Sequence, residues 1–600
     1  MFRPTDLGLD GIFSGALRCP RFLLLRFLCE CIAAFHGNGP TAARLRLSQN
    51  TDAGHPGEAA SPRVLKLKTA APQVSLLVLA VWIAWRPAET HPWSSVFAAT
   101  IVLALTAWGW RRVSPKAEQG LVTAAIAGCV LTAAGLLGWD PASAIRELWL
   151  FAALIVIVWL ASREMPSDHH PAVLAVLLSG LAIWGIWQVG GGLERAGVQA
   201  TELPTAIQAG VIERVASGRA FASQLLPSHL AVLLATALPL LLIRIRPRWQ
   251  ATPWIAGAAL CVVGLVLTRS PVGAALALAA CVVLTIARKS SKRLLWVVLI
   301  LLLALAVVTV WRGDVMELEP VSLRLDNWRT SLWVWSSAPA AGVGPGGFAQ
   351  ASQAVPFEVG NRPRHAHSLP LELLAELGPV GLAAFLFGAW ALWRLVRDLW
   401  PLRPELAVAV VVIPLHNLVD FSLFGSGVAL PWAVLLGWAI AFRQPTAVPD
   451  RVPRGRLLLV VVATLALAAT ILDATSRTVE VGAAAQSSPD GRLLTALQAR
   501  RLAPWRLEPV GLAATSALET GDRQKIAMAA KEIDQARRLR PHSAALAGLR
   551  ARLGLALGEG PTAVSEAWNA RHGQPANAQH AVLFDEVLQR LDPGASRESR

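Results

Sequence analysis

Apolar stretches long enough, or nearly long enough, to cross a bilayer recur along most of this chain, and nothing constrains its fold more. They run at about 71–85, 93–110, 120–139, 148–162, 171–189, 225–243, 253–268, 271–287, 294–311, 379–395, 406–421, 427–442 and 457–472. A hydrocarbon core about 30 Å thick asks for about 20 apolar residues of helix. It offers backbone groups no water, so each segment has to satisfy its own hydrogen bonds. The pattern predicts an all-α, polytopic membrane protein with about thirteen transmembrane helices. A chain of 600 residues that is 54% hydrophobic is too apolar for a soluble protein of this size.

The formal net charge of +16 would suit a nucleic-acid partner only if the basic residues formed one domain. Instead they fall in short clusters between apolar segments, so we expect no nucleic-acid binding. With a cytoplasmic N-terminus, the inside clusters are Arg63, Lys66 and Lys68; Arg111, Arg112 and Lys116; Arg163; Arg244, Arg246 and Arg248; Arg288, Lys289, Lys292 and Arg293; Arg394, Arg397 and Arg403; and Arg443, Arg451, Arg454 and Arg456. The short outer loops then hold only Arg86, Arg146 and Arg269, as the positive-inside rule requires. Two long loops, 190–224 and 312–376, and everything after 472 fall on the outer face. There are 24 Trp and no Tyr, so Trp alone forms the interfacial aromatic belt. The six cysteines include no C-x-x-C pair, so neither a zinc nor a disulfide framework is expected. Residues 1–63 read equally as a disordered cytoplasmic leader or as a start assigned too far upstream.

The domain reading is therefore a leader over 1–63, a transmembrane unit over 64–472 and a soluble unit over 473–600. In the last, Ala499-Arg500 precedes Pro504, Ala536-Arg537 precedes Pro541, and Ala570-Arg571 precedes Pro575. The prolines recur every 34 to 37 residues or so, the period of tetratricopeptide hairpins. An irregular helical bundle is the alternative. Stacked repeats of this kind present a concave surface to a protein partner.

The polar loop 312–376 leads into His367-Ser368, nine further residues, and Gly378-Pro379-Val380-Gly381. This fits H-[N/S/Q]-x9-G-x-x-[G/T/Y], a signature of the O-antigen ligase superfamily. Arg324-Leu-Asp-Asn-Trp328-Arg329, Pro339, Gly342-Val-Gly344-Pro-Gly-Gly-Phe348 and His416-Asn-Leu-Val-Asp420-Phe421 also resemble that family, over about 225–442. The resemblance implies a GT-C-like glycosyltransferase in the bacterial inner membrane, its C-terminal domain extracytoplasmic. The donor would be an undecaprenyl-diphosphate-linked glycan and the acceptor lipid A core, another glycan or a protein hydroxyl. Neither metal nor cofactor is implied. A transporter or flippase, or a membrane scaffold whose repeats recruit partners, is the rival class. A transporter would place ionisable groups near the midplane of an internal repeat, whereas here they gather at one face.

The departing pyrophosphate carries several negative charges, which guanidinium groups meet with paired, charge-assisted hydrogen bonds. Arg324, Arg269 and Arg329 are the candidates. Arg269 lies in Thr268-Arg269-Ser270, where relatives often read Ser-Arg, and its alternative role is an interfacial anchor. His367 is the candidate catalytic residue, accepting or orienting the proton of the attacking hydroxyl; its alternative is a helix cap. His365 makes a His-x-His pair that could ligate a metal, without an evident third ligand. Asp420, His416, Ser368 and Gly378 are expected to support the site, the first two from one helical face. Gln224, Ser228 and His229 are expected to line the donor channel.

Overall fold

The computed structural model describes residues 62–87, 92–109, 140–162, 166–200, 212, 215–224, 226–244, 252–287, 319–357, 363–443, 456–575 and 577–591. Among these there is no strand. The helices, in chain order, are α1 (Pro62–Trp85), α2 (Pro92–Gly109), α3 (Pro141–Ser162), α4 (His170–Ser179), α5 (Leu181–Trp187), α6 (Leu193–Ala200), α7 (Pro227–Leu242), α8 (Thr252–Thr268), α9 (Pro271–Ala287) and α10 (Glu319–Ser337). They continue with α11 (Leu369–Leu399), α12 (Pro404–His416), α13 (Ser426–Arg443), α14 (Arg456–Ala484), α15 (Pro489–Leu502), α16 (Glu508–Thr520), α17 (Arg523–Leu539), α18 (Ala544–Leu557), α19 (Gly560–Gly573) and α20 (Ala578–Leu591). Proline opens several of them, at Pro171, Pro227 and Pro404. There its missing N–H is no loss and its fixed φ starts the first turn.

Among the described residues, 3 helical stretches are long and apolar enough to cross a membrane: His170–Val198, which runs from α4 into α6, Leu369–Leu399 and Ser426–Arg443. The shorter apolar helices include α7, α8, α9 and α12. The expected spans at 120–139 and 294–311 lie outside the described residues. Two boundaries move relative to the sequence reading. The span expected at 379–395 begins ten residues earlier at Leu369, so the loop expected over 312–376 ends inside a helix and also contains α10. The helix that carries the last expected span, 457–472, continues to Ala484 and so carries the chain directly into the C-terminal unit.

Helix α7 is buried all round from Ser228 to Leu242 and packs against α4, α8, α9 and α12, which makes it the axis of the bundle. Close approach depends on small residues: a Cβ on Gly273 of α9 would meet the Ala231 Cβ of α7 at 2.5 Å. Such contacts replace the hydrophobic driving force that lipid does not provide between helices. Helix α11 instead turns Val380, Leu386, Phe387, Trp390 and Trp393 outward, the apolar face of a helix at the lipid boundary.

Hydrogen bonds and ion pairs define two ends of the bundle. At one, Gln224 Nε2 donates to the Ala84 carbonyl at the end of α1 (2.6 Å), Arg219 Nε donates to the Thr268 carbonyl at the end of α8 (2.9 Å), and the Leu369 amide donates to the Asn417 carbonyl (2.7 Å). At the other, Arg403 pairs with Asp168 and lies over the Phe442 ring, and Arg244 donates to the Asp168 carbonyl.

In the C-terminal unit each helix from α15 to α20 packs on the next, and Pro504, Pro541 and Pro575 follow every second one. Ala499, Ala536 and Ala570 are fully buried where the helices cross. Ser488, Asp522 and Ser543 cap α15, α17 and α18 through backbone N–H groups. The unit is fixed to α14 by Arg506, a buried guanidinium that donates to Glu480 (2.6 Å) and to Ser476 Oγ (3.2 Å).

Candidate functional site

The chain just before α11 is held from three sides. The Leu369 amide is tied to Asn417 beyond α12, the Trp328 indole of α10 donates to the His367 carbonyl (3.3 Å), and the Glu372 carboxylate accepts from the Ala366 amide (3.1 Å). Under these restraints His367 takes φ +50°, in the left-handed region. A non-glycine residue rarely stays there without a surrounding structure that enforces it. Ser368 is the buried, extended N-cap of α11, and its side chain makes no capping bond.

His367 Nδ1 points toward Asp420 Oδ1 at 3.8 Å, and its ring sits edge-on to Phe421 with centroids 4.6 Å apart. Nδ1 is buried and makes no hydrogen bond. Burial lowers the His367 pKa to about 4, with Arg324 and His365 lowering it further against the pull of Asp420. The imidazole is therefore neutral at pH 7, with a free lone pair.

Asp420 is nearly completely buried. Its carboxyl is pushed up by burial, but the imidazoles of His416, His229 and His367 and the Phe421 amide together hold it below the ordinary value. It therefore stays ionised. Sequence periodicity places Asp420 with His416 on one helical face, but α12 ends at His416. The helix stops because the Asn417 side chain turns back to the Ile413 carbonyl (2.8 Å) and accepts the Leu423 amide (3.0 Å). The turn still brings His416 Nε2 to 3.6 Å from Asp420 Oδ2, while His416 Nδ1 meets Ser422 Oγ at 3.2 Å.

His365 is tied to α11 through Glu372. Its Nδ1 pairs with Glu372 Oε1 at 2.7 Å, and its ring stacks on Phe421 at 4.5 Å. Among the described residues no group of three His, Cys, Asp or Glu side chains could hold a metal ion.

Three arginines gather beside this pair. Arg324, on α10 one turn before Trp328, acts electrostatically on His367, His416 and Arg219, and its buried Nε makes no hydrogen bond. Arg269, at φ +48°, forms the whole turn between α8 and α9 with Ser270, and its Nη1 donates to the Ser217 carbonyl (3.1 Å). Arg219 braces that turn, donating to the Thr268 and Arg269 carbonyls at 2.9 and 3.4 Å. Burial, then the charges of Arg269 and Arg324, lower the Arg219 pKa. Arg329 is placed differently: it is exposed and lies 4.2 Å over the Phe357 ring.

Gly378 and the glycine loop supply the scaffold. Helix α11 breaks at Gly378 (φ +63°, ψ −154°), where a Cβ would lie 2.7 Å from the Ala340 carbonyl. The Val343 and Gly344 amides bond to the Ala375 and Glu376 carbonyls (3.0 and 2.9 Å). The loop packs as a tight turn against the helix.

Sequence reasoning missed Arg219 and Glu372, and it named Phe421 only as part of a motif, without a role. Arg219 carries no motif, and in the sequence it is one of several polar residues in the approach to α7. His229 is at the site, 5.2 Å from the Phe421 ring. Gln224 is buried and donates to the Ala84 carbonyl.

Among curated proteins no sequence matches the chain. Residues 256–386 match a family described as O-antigen ligase, a stretch that contains Arg269, Arg324, His367 and Gly378. The similarity supports a glycosyl-transferring membrane protein of the O-antigen ligase type.

Proposed function

We propose that the protein moves a glycan from a polyprenyl diphosphate carrier, such as undecaprenyl diphosphate, to a hydroxyl acceptor at the extracytoplasmic face of a bacterial inner membrane. The observation that carries this reading is the meeting of three guanidinium groups with a neutral imidazole backed by a buried carboxylate. Arg219, Arg269 and Arg324 hold the diphosphate, whose charge grows as the sugar C1–O bond breaks. The acceptor oxygen attacks C1 from the opposite side and forms the new glycosidic bond. Its proton passes to His367 Nε2, while Asp420 favours the tautomer with the proton on Nδ1 and stabilises the imidazolium that forms. The bonding electrons leave with the diphosphate, and the anomeric configuration inverts. The 3.8 Å His367–Asp420 separation is long for a hydrogen bond, and such contacts commonly tighten when substrate binds.

The family similarity supports a ligase or polymerase, and the acceptor is then lipid A core, a second lipid-linked glycan or a protein hydroxyl. No metal or other cofactor enters the proposed chemistry. The test is turnover of a lipid-linked oligosaccharide in proteoliposomes. Removing the proton acceptor with His367→Ala is expected to lower turnover by about 10²–10⁴-fold at normal membrane levels. A variant within about threefold of wild type would exclude His367 from the chemistry.

A further inference from the structure

The C-terminal helical unit touches the membrane unit next to the site, and the contact is polar and specific. Arg540, just past the end of α17, donates from Nε to Asp140 Oδ1 (2.7 Å) and from Nη2 to Ser143 Oγ (3.1 Å). Asp140 also accepts the Ser143 amide (3.0 Å) and hydroxyl (2.7 Å), so the carboxylate that starts α3 is shared with the C-terminal unit. Nearby, Gln350 Nε2 donates to the His542 carbonyl (2.8 Å).

From Asp140 a chain of direct contacts leads to the imidazole. Gly346 rests on the backbone of the first turn of α3: a Cβ there would lie 2.8 Å from the Ser143 carbonyl carbon. The loop holding Gly346 is bonded to Ala375 and Glu376 on α11, and the Phe348 amide donates to Glu376 Oε1 (3.2 Å). One turn earlier on α11, Glu372 holds both His365 and the Ala366 amide. His367 follows.

We propose that Arg540 is a positioning residue for His367, and that the C-terminal unit is part of the active-site scaffold. The catalytic consequence rests on the function proposed above. The path reaches His367 but not the α8–α9 turn that carries Arg269 and that Arg219 braces, so losing it should slow the chemical step more than it weakens donor binding. A catalytic group displaced by about 1 Å loses up to about a hundredfold in rate.

The experiment compares full-length Arg540→Ala and Arg540→Lys with wild type. For Arg540→Ala, kcat with a lipid-linked oligosaccharide is expected to fall about tenfold to a hundredfold while donor KM stays within about twofold. Lysine, which still offers one charged donor to Asp140, should recover most of the loss. In parallel, hydrogen exchange over 343–352 and 365–368 should speed up in Arg540→Ala and much less in Arg540→Lys, with protection of helices 489–591 unchanged. Unchanged kcat and exchange in Arg540→Ala would overturn the proposal, as would a change confined to KM. If the wild-type protein turned over no lipid-linked glycan, the function reading would fall, and the exchange comparison would still decide whether Arg540 holds the His367 segment.

Discussion

At the scale of single residues, the decisive property is that His367 is half-enclosed and neutral. Its pKa of about 4 lies below the ordinary histidine value of 6.5, so the folded protein binds fewer protons than the unfolded chain between those two pH values. The neutral imidazole therefore contributes stability that is fully present above about pH 6.5 and is lost as pH falls toward 4. Activity should follow the same group: the pH–rate profile should stay flat from about pH 6 to 8, with no limb near 6.5, and fall only in the acid range. A limb centred near 6.5 in kcat/KM would show that a different group, or a solvated His367, accepts the proton. The arginines call for a different comparison. Arg219→Lys and Arg324→Lys should lose nearly as much turnover as the alanine variants, on the order of tenfold to a hundredfold, because an ammonium cannot reproduce paired N–H donors on a diphosphate. A lysine variant with near-normal activity would reduce that residue to diffuse charge.

At the scale of elements, the break in α11 carries the argument. Gly378 lies in a backbone region open almost only to glycine, and its missing side chain lets the Ala340 carbonyl approach. Gly378→Ala should therefore cost about 1–3 kcal/mol of stability and lower activity, read as thermal unfolding and turnover in detergent. Gly388, farther along the same helix, faces open space, and a Cβ there would meet nothing within 4 Å. Alanine at that position should be neutral or stabilising by up to about 1 kcal/mol. Equal effects at the two positions would mean that the kink is not enforced by the loop. Pattern reasoning recognised Gly378 and the glycine run as a motif but could not pair them, because the contact joins residues 38 positions apart, Ala340 and Gly378.

At the scale of the whole molecule, the C-terminal unit lies at the same end as His367, and α14 joins it to the bundle without an intervening loop. If that end is extracytoplasmic, cysteines introduced at Arg364 and Gln535 should react with an impermeant thiol reagent in cells with a permeabilised outer envelope. Cysteines at Ser290 and Leu402 should be shielded. Labelling of 290 and 402 but not of 364 would invert the orientation and place the site in the cytoplasm.

Much was already set by one-dimensional order: apolar run length required helices, and proline spacing marked the helical pairs after 484. Run length is a local property, and so is the motif that singled out His367, Ser368 and Gly378. Local order could not say which polar groups share a space. Arg219, His229 and His416 come from the approach to α7, from α7 itself and from the end of α12, and only the packing of those helices brings them round Asp420. The same holds for Arg329, which adjoins Trp328 in sequence yet faces Phe357, because successive helical residues point about 100° apart. Burial, which makes His367 neutral while its carboxylate partner stays charged, is a property of the assembled bundle, and no stretch of sequence contains it.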